Sequence, residues 1–384
     1  MATYQQASDA GPVRESARIT SLDLIRGVAV LGILLMNAVS FKFGTSPYFN
    51  LNAGGSETAL DWTVGIFGEI FVDQKFMGLF SLLFGAGMIL FIDRAAQRGR
   101  RAVMLNLWRN ALLLLIGTLH YTLWIGDVLM VYAVSSVFLI ALRNLKNKTL
   151  ISVGVVSFAL SAVCTLLVQS IANATGDPLS GIWTAGQIDT NSPIPPLFLF
   201  GYFLRALGLI LMGAGLYRTG FMNGSLSPKV YRTTAIVGLA VGLPLAALGV
   251  IVTAANDYSR EIAFIGQIPN TLGTIPASLG YMSLIIIWNN HGDSGFRRRL
   301  RAVGRMALTN YLAQTILGVL LLTMLLGDVG WVNRAAVLVF VFAVWAIQIW
   351  WSQAWLDRFL YGPAEWLWRC ATYRSIQPLR RHAR

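Results

Sequence analysis

The sequence contains ten long apolar runs, and this feature limits the folds open to the chain more than any other. Their approximate bounds are 22–42, 76–93, 104–125, 128–142, 150–172, 196–217, 232–254, 270–289, 303–326 and 332–352. A helix needs about 20 mostly apolar residues to cross the hydrocarbon core of a bilayer. Apolar residues make up 55% of the 384 residues and charged residues only 12%, too few to cover a soluble domain of this size. We therefore predict an all-α, polytopic transmembrane bundle of about ten spans whose main partner is the lipid bilayer.

Positive charge follows alternate connections between these runs. The formal net charge is +13, and the excess of lysine and arginine lies mainly in the segments 94–109, 143–148, 218–232, 297–305 and 374–384. Because basic loops of membrane proteins stay in the cytoplasm, this alternation predicts an even number of spans with both termini cytoplasmic. Basic blocks that flank apolar runs are typical of membrane topology, so we expect no nucleic-acid partner.

The predicted domain organisation has three parts. Residues 1–17 form a polar cytoplasmic N-terminus, 18–354 a single transmembrane domain, and 355–384 an amphipathic and basic cytoplasmic tail. The first apolar run is too long for the hydrophobic part of a signal peptide, so we expect it to remain as the first span. On the far side only the connections 43–60 and 173–195 are sizeable. We therefore expect any chemistry to take place within the helical bundle or at its edge.

An unusual polar segment, 61–75, precedes the second run and contains Glu69, Asp73 and Lys75. If this segment crossed the membrane, the arginines of 94–101 would lie outside, so we interpret it as an interfacial or re-entrant half-helix. The two acids and the lysine either neutralise one another at the interface or line a polar cavity. Both interpretations stay open at this point.

His120 is the most informative single residue, since His291 and His382 lie in basic cytoplasmic segments. It falls near the outer end of the third span, where an imidazole could exchange a proton or carry an acyl group near neutral pH. Asp127 follows seven residues later, at the turn into the fourth span. It could orient the imidazole, or it could cap the next helix, and the two roles are compatible. A hydrogen-bonded structural histidine is the alternative for His120.

Polar residues also mark the inner ends of the first and ninth runs. Asp23 and Arg26 are three residues apart, a spacing that places them on one helical face, where they could form a structural pair. Asn37 lies further along the same helix and could tether neighbouring helices. The start of the ninth run is rich in hydrogen-bonding groups, namely Arg305, Asn310, Tyr311 and Gln314. An arginine at this level suits a phosphate or nucleotide group, although basic flanks are also ordinary topology signals.

Several motifs are absent from the sequence. There is no HExxH, no GxxxxGK[ST] and no GxSxG, which disfavours a zinc protease, an ATP-driven pump domain and a serine hydrolase. Cys164 and Cys370 are too far apart to suggest a disulfide framework or a thiolate metal site. We expect no bound metal.

Five stretches together resemble the YeiB-like family of bacterial membrane proteins. They are RITSLDLIRGVAVLGILLMN (18–37), KFMGLFSLLFGAGM (75–88), LHYTLWIGDVLMVYA (119–133), GRMALTNYLAQT (304–315) and YGPAEWLWR (361–369). They extend from the first span to the tail. This family is in turn similar to the transmembrane acyltransferases typified by heparan-α-glucosaminide N-acetyltransferase, mainly through the SLDxxRG opening.

The resemblance implies a multi-pass protein of the bacterial inner membrane that moves an acyl group from cytoplasmic acyl-CoA, with acetyl-CoA as the expected donor. The acceptor would be an extracytoplasmic glycan or small molecule. In the sugar acetyltransferase the far-side histidine lies in the loop after the SLDxxRG helix, whereas 43–60 contains none here. His120 takes its place in this hypothesis, with Asp127 as its partner. The residues expected to bind acyl-CoA or line a polar cavity are Asp23, Arg26, Asn37, Glu69, Asp73, Lys75, Arg305, Asn310, Tyr311 and Gln314.

Two other functions stay open from the sequence. A proton-coupled transporter or flippase of a small molecule could use Glu69, Asp73, His120 and Asp127 as a path for protons or solute. A non-catalytic membrane scaffold would need these polar groups only for helix packing. A homo-oligomer is compatible with each of the three hypotheses.

Overall fold

The computed structural model describes residues 18–381, which form an all-α protein without a strand in that range. The predicted N-terminal segment 1–17 lies outside the described residues. The helices are α1 Thr20–Phe43, α2 Ala59–Phe67, α3 Lys75–Gln97, α4 Ala102–Tyr121, α5 Leu129–Leu142, α6 Asn147–Thr175, α7 Ile194–Arg218, α8 Pro228–Ala255, α9 Ala263–Asn290, α10 Gly295–Arg305, α11 Ala307–Gly318, α12 Arg334–Arg358 and α13 Pro363–Tyr373. Short helical turns occupy Ser46–Phe49, Leu51–Ala53, Phe221–Asn223 and Arg260–Ile262, and wider π turns occupy Gly68–Val72 and Val319–Leu325.

The predicted fold class is confirmed. Within the described range, nine helical segments are long and apolar enough to cross a membrane, and the shorter apolar helix α5 corresponds to the fourth predicted span. The helix of the ninth run begins later than the predicted span 303–326. The basic helix α10 ends at Arg305, and α11 begins at Ala307 after a break at Met306. Most of the predicted span 303–326 is therefore α11 together with its π turn.

The bundle has two chemically different ends. The arginine-rich end comprises the connections 98–101, 143–146, 219–227 and 291–294 with α10 and residues 359–381, and the far end comprises 44–58, 122–128, 176–193, 256–262 and 326–333. Both ends of the described chain lie at the arginine-rich end, where Asn289 donates to the Thr20 hydroxyl and Trp368 donates to the main chain of Arg109. Their cytoplasmic orientation stays a prediction.

The centre of the bundle is built on α1, α3, α7 and α9. Leu24, Leu79, Leu209 and Ile286 are fully buried in one apolar cluster. Burial of each such side chain contributes about 1.5–3 kcal/mol in water, while within a bilayer close packing becomes the more important term. Gly304 of α10 lies against α1 so closely that a Cβ atom would collide with the carbonyl oxygen of Asp23.

A break in the backbone separates α2 from α3. Thr58 and Asp61 cap the start of α2 reciprocally, and the helix continues as the π turn Gly68–Val72. Gln74 then adopts a left-handed conformation with φ of 62°, and α3 begins at Lys75. The half-helix predicted within 61–75 is thus present as α2 and its π turn.

The C-terminal segment packs on the bundle. Helix α12 continues to Arg358, beyond the predicted domain limit at residue 354. Helix α13 then lies against the beginning of α4, where the Trp108 indole donates to the carbonyl of Ala371 at 3.0 Å. The tail therefore forms part of the structure at the arginine-rich end.

Candidate functional site

A cavity of about 380 Å³ lies at the arginine-rich end, between α1, α3, α4, α5, α10, α11 and α13. Its lining extends from the exposed Arg98 to buried residues such as Leu113 and Tyr132. Among residues 18–381, seven arginines line it, namely Arg26, Arg94, Arg98, Arg100, Arg109, Arg305 and Arg369, against the single acid Glu365. This excess of positive charge next to low-dielectric walls attracts an anionic ligand.

Aromatic rings hold several of these arginines in place. The Arg109 guanidinium lies between the rings of Phe91 and Trp368, at 4.5 and 4.1 Å from their centroids. Arg100 lies over Tyr373 at 4.8 Å. A cation on an aromatic face gains electrostatic energy while its N–H groups stay available at the edge of the guanidinium plane. Arg109 and Arg100 are therefore oriented by aromatic rings.

The inner part of the cavity differs chemically from its arginine-rich mouth. Leu113 and Leu129 supply apolar walls, and Tyr132 and Tyr311 supply buried phenols. The Tyr132 hydroxyl is fixed by Ser81 at 2.7 Å. These walls suit a ligand segment that is extended and mostly apolar, with a few polar groups. They suit a highly charged group less well.

Tyr311 connects the cavity with His120 and Asp127. The Tyr311 hydroxyl donates to Oδ1 of Asp127 at 3.0 Å, and Nδ1 of His120 lies 2.8 Å from the same oxygen. The rings of His120 and Tyr311 are 5.2 Å apart. The other oxygen of Asp127 accepts the main-chain N–H of Leu129 at 3.0 Å. Asp127 therefore contacts the imidazole and also accepts the first main-chain N–H of α5.

The contact with Asp127 sets the tautomer of the His120 imidazole. Because Asp127 accepts a hydrogen bond from Nδ1–H, the neutral ring has its lone pair on Nε2. The His120 side chain is only 3% exposed, and within the described residues Nε2 is buried without a hydrogen-bond partner. A buried nitrogen with a free lone pair is suited to act as a base or a nucleophile.

The other residues predicted on α1, α10 and α11 have different surroundings. Arg26 and Arg305 line the cavity, as Tyr311 does. Asp23 lies beside the cavity and pairs with Arg26 at 3.2 Å. The remaining three do not line it: Asn310 donates to the Ser352 hydroxyl, Gln314 donates to the carbonyl of Val30, and Asn37 is half-buried on α1.

Glu69, Asp73 and Lys75 lie at the far end and do not join this cavity. The Lys75 ammonium group donates to the main-chain oxygen of Glu69 at 2.8 Å and to the side chain of Asn270. Asp73 accepts hydrogen bonds from Tyr48 at 2.9 Å and from Asn270 at 3.0 Å. The structure thus places eleven of the twelve predicted site residues in two separate polar regions and in contacts between helices, and it places Asn37 half-buried on α1.

Several residues of the cavity were not among the predicted site residues. Arg109 lies inside the third apolar run, and an arginine within a span is itself a functional signal. Glu365 and Trp368 belong to the YGPAEWLWR stretch, whose helical spacing of three residues places both on one face of α13. These two signals could have identified one wall of the cavity.

Glu365 joins α13 to the start of α11. Its carboxyl group accepts hydrogen bonds from the main-chain N–H groups of Leu308 and Thr309, at 2.7 and 3.1 Å, and from the Thr309 hydroxyl at 2.6 Å. These N–H groups belong to the first turn of α11, where a helix has no internal acceptor. Burial raises the pKa of Glu365, while the hydrogen bonds from Thr309 and Leu308 act in the opposite direction.

The described residues contain no group of three or more histidine, cysteine, aspartate or glutamate side chains that could hold a metal ion. The arginine-lined cavity instead has the donor set for phosphate oxygens, because guanidinium groups bind them in bidentate fashion.

Comparisons with known proteins agree with the sequence stretches described above. The model of the family described as "Protein of unknown function (DUF418)" matches residues 216–375. This range includes α10 to α13 and therefore much of the cavity wall.

Relatives match nearly the whole chain. The uncharacterized protein YeiB of Escherichia coli (strain K12) is 33% identical, with 94% of this chain and 98% of the relative covered. The uncharacterized protein YxaH of Bacillus subtilis (strain 168) is 28% identical, with 96% and 97% covered. No solved structure gives a significant match.

Proposed function

This chain belongs to the DUF418 family together with YeiB, and we propose that it is a membrane-embedded acyltransferase that uses acyl-CoA as its donor. One observation carries the proposal. An arginine-lined cavity leads to Tyr311, whose hydroxyl group bonds to the carboxylate that orients His120. An anion-binding mouth and a buried base are thereby linked through a single side chain.

Two parts of acyl-CoA, the phosphates and the pantetheine arm, fit different regions of the cavity. The arginines near the surface, such as Arg98 and Arg100, would bind the phosphates of coenzyme A. The pantetheine arm would extend along Leu113 and Leu129 toward Tyr311. A cavity of about 380 Å³ holds the arm and leaves the nucleotide at the mouth.

The reaction requires a base and a route for one proton. His120 Nε2 takes the proton from the hydroxyl or amine of the acceptor, whose oxygen or nitrogen forms the new bond to the acyl carbon. The bond between the acyl carbon and sulfur breaks, sulfur keeps the electron pair, and the proton passes from the imidazolium to the thiolate. Asp127 stabilises the imidazolium between these two proton transfers. A transient acyl group on Nε2 is the two-step version of the same chemistry.

The proposal also includes a direction. With the arginine-rich end in the cytoplasm of a bacterium, acyl-CoA, acetyl-CoA first of all, enters from the inside of the inner membrane. The acceptor, a glycan or small molecule, approaches from the far end.

The test is acyl-CoA turnover by purified protein in lipid nanodiscs, measured as release of the free thiol with and without candidate acceptors. His120→Ala is expected to reduce the rate by roughly 10²- to 10⁴-fold. His291→Ala is the matched control, since His291 is exposed and its ring nitrogen bonds to the carbonyl of Ile287 four residues earlier. Equal turnover by the His120 variant and the wild type would overturn the mechanism. Solute uptake into proteoliposomes without acyl-CoA would favour a transporter instead.

A further inference from the structure

A second polar pocket, separate from the arginine-lined cavity, lies at the far end of the bundle. We call it the Glu69 pocket, and its polar lining consists of Glu69, Thr253, Tyr258, Gln267 and Asn270. Its volume of about 20 Å³ is the space of one water-sized particle. The π turn after α2, the end of α8 and the start of α9 meet here.

The Glu69 carboxylate has no partner of its own. The residue is 6% exposed, and within residues 18–381 no hydrogen bond reaches its side chain and no lysine or arginine nitrogen lies within 4 Å of it. Lys75 donates instead to the main-chain oxygen of Glu69 and to Asn270, so the positive charges of Lys75 and Arg334 act on the Glu69 carboxylate only from beyond 4 Å. A buried carboxylate without an ion-pair partner costs several kcal/mol, so either a proton or a bound cation must neutralise it.

The pocket offers neutral oxygens opposite this carboxylate. Gln267 donates through its amide nitrogen to the carbonyl of Phe49 at 3.3 Å, which leaves its amide oxygen available. Thr253 donates to the carbonyl of Gly249 at 2.9 Å, which leaves its oxygen lone pairs available. The Tyr258 hydroxyl is buried and has no hydrogen-bond partner within the described residues.

The backbone that carries Tyr258 into the Glu69 pocket has an unusual conformation. Asp257 and Tyr258 both have left-handed conformations, with φ of 50° and 55°, which non-glycine residues rarely adopt in succession. The Trp183 indole secures the turn by donating to the carbonyl of Tyr258 at 2.8 Å. Burial, and then the charge of nearby Glu69, raise the pKa of Tyr258 to about 12, so its hydroxyl stays neutral near pH 7.

We propose that the Glu69 pocket binds one small monovalent cation, such as sodium, between the Glu69 carboxylate and the oxygens of Tyr258, Thr253 and Gln267. Only hard oxygen donors are offered, which suits such an ion. One carboxylate without a cation within ion-pair distance matches one positive charge, whereas calcium takes six to eight oxygens and usually several carboxylates. A water molecule would satisfy hydrogen bonds but would leave the charge of Glu69 in a dry environment. This inference does not depend on acyl transfer.

The experiment is equilibrium binding of radioactive sodium to the full chain in nanodiscs, with choline replacing sodium at constant ionic strength and pH. The wild type is expected to bind one sodium ion per chain, and sodium is expected to raise its thermal unfolding midpoint in a saturable manner. Glu69→Gln is expected to weaken binding by about 30-fold or more, the loss that accompanies removal of a buried charged partner. Glu57→Gln is the control, because Glu57 is exposed in the same region.

Tyr258→Phe keeps the test decisive if the Glu69 variant folds poorly, since it removes one oxygen and keeps the ring. It is expected to weaken sodium binding several-fold. Sodium binding that is the same in the wild type and in both pocket variants would overturn the proposal. A wild type whose stability changes with pH and not with sodium would also overturn it, because a proton would then neutralise Glu69.

Discussion

His120 Nδ1 lies 2.8 Å from Oδ1 of Asp127, and both side chains are almost completely buried. This pair is held from two further directions, by the Tyr311 hydroxyl and by the main-chain N–H of Leu129. The carboxylate is therefore fixed before any substrate arrives. Such preorganisation is what a base needs if its nitrogen is to face a reacting atom in one orientation.

Asp127→Asn should slow the chemical step and leave the binding of the acyl-CoA donor unchanged. The amide is close in shape to the carboxylate but cannot stabilise an imidazolium, so turnover of acyl-CoA should fall by roughly 10²- to 10⁴-fold. The dissociation constant of acyl-CoA should stay near the wild-type value, because Asp127 does not line the cavity. Steady-state rates and isothermal titration of the same preparations provide the comparison. A variant with normal turnover and weak binding would contradict the assigned role.

Arg109→Gln should weaken donor binding. It removes the guanidinium held between Phe91 and Trp368, and a lost hydrogen bond to a charged group corresponds to about ten-fold or more in affinity. Binding by the wild type should also weaken as salt rises, because ions screen attraction near the surface. Arg298→Gln, an exposed substitution on α10, serves as the control. Equal affinity of the Arg109 variant and the control would count against phosphate binding in this cavity.

Glu365→Gln should change the pH dependence of stability. Burial raises the pKa of Glu365 in the folded protein above its ordinary value near 4.5, so folding favours the protonated form. The stabilisation that follows is complete below the unfolded pKa and is lost as pH rises through the folded pKa. The stability of the wild type relative to this variant should therefore be greatest in acid and decline above about pH 4.5. Thermal unfolding across a pH series measures this difference, and a difference that grows with pH would show the opposite shift.

Gly304→Ala should destabilise the fold. A Cβ atom at this position would collide with the carbonyl oxygen of Asp23, and such overpacking costs about 1–3 kcal/mol. Gly295→Ala is the matched control, since open space surrounds that position on the same helix. The midpoints of thermal unfolding should differ clearly between the two variants. Equal midpoints would show that α1 and α10 can move apart at little cost.

The fold could be predicted from the sequence because apolar length and the alternation of basic loops are local signals. Each of the ten runs corresponds to a helix, and even the short fourth run became a short helix, α5. The break at Met306 was not predicted, because it depends on Glu365, which satisfies the first N–H groups of α11 from a distant part of the chain. Contacts between distant parts of the chain do not affect the local periodicity of apolar residues, so that periodicity cannot predict them.

The candidate site was harder to predict than the fold. His120 and Asp127 are only seven residues apart and lie on either side of one turn, so the sequence could suggest their pairing. Tyr311 is 184 residues from Asp127, and nothing in the sequence indicated that the two would share a hydrogen bond. Glu69 and Asp73 were grouped with the acyl-CoA candidates because charge within a membrane protein suggests function, but charge alone does not say which pocket a residue belongs to.

The position of α13 on the cavity has a consequence for how the protein is made. Glu365, Trp368 and Arg369 lie on the last helix, so the ribosome releases them only after every membrane-crossing segment has been synthesised. A chain that stops before Pro363 would keep all of those segments but lack one wall of the cavity. Under the proposed function, a chain already inserted in the bilayer would therefore become able to bind its anionic donor only after α13 has been synthesised and has packed on α4.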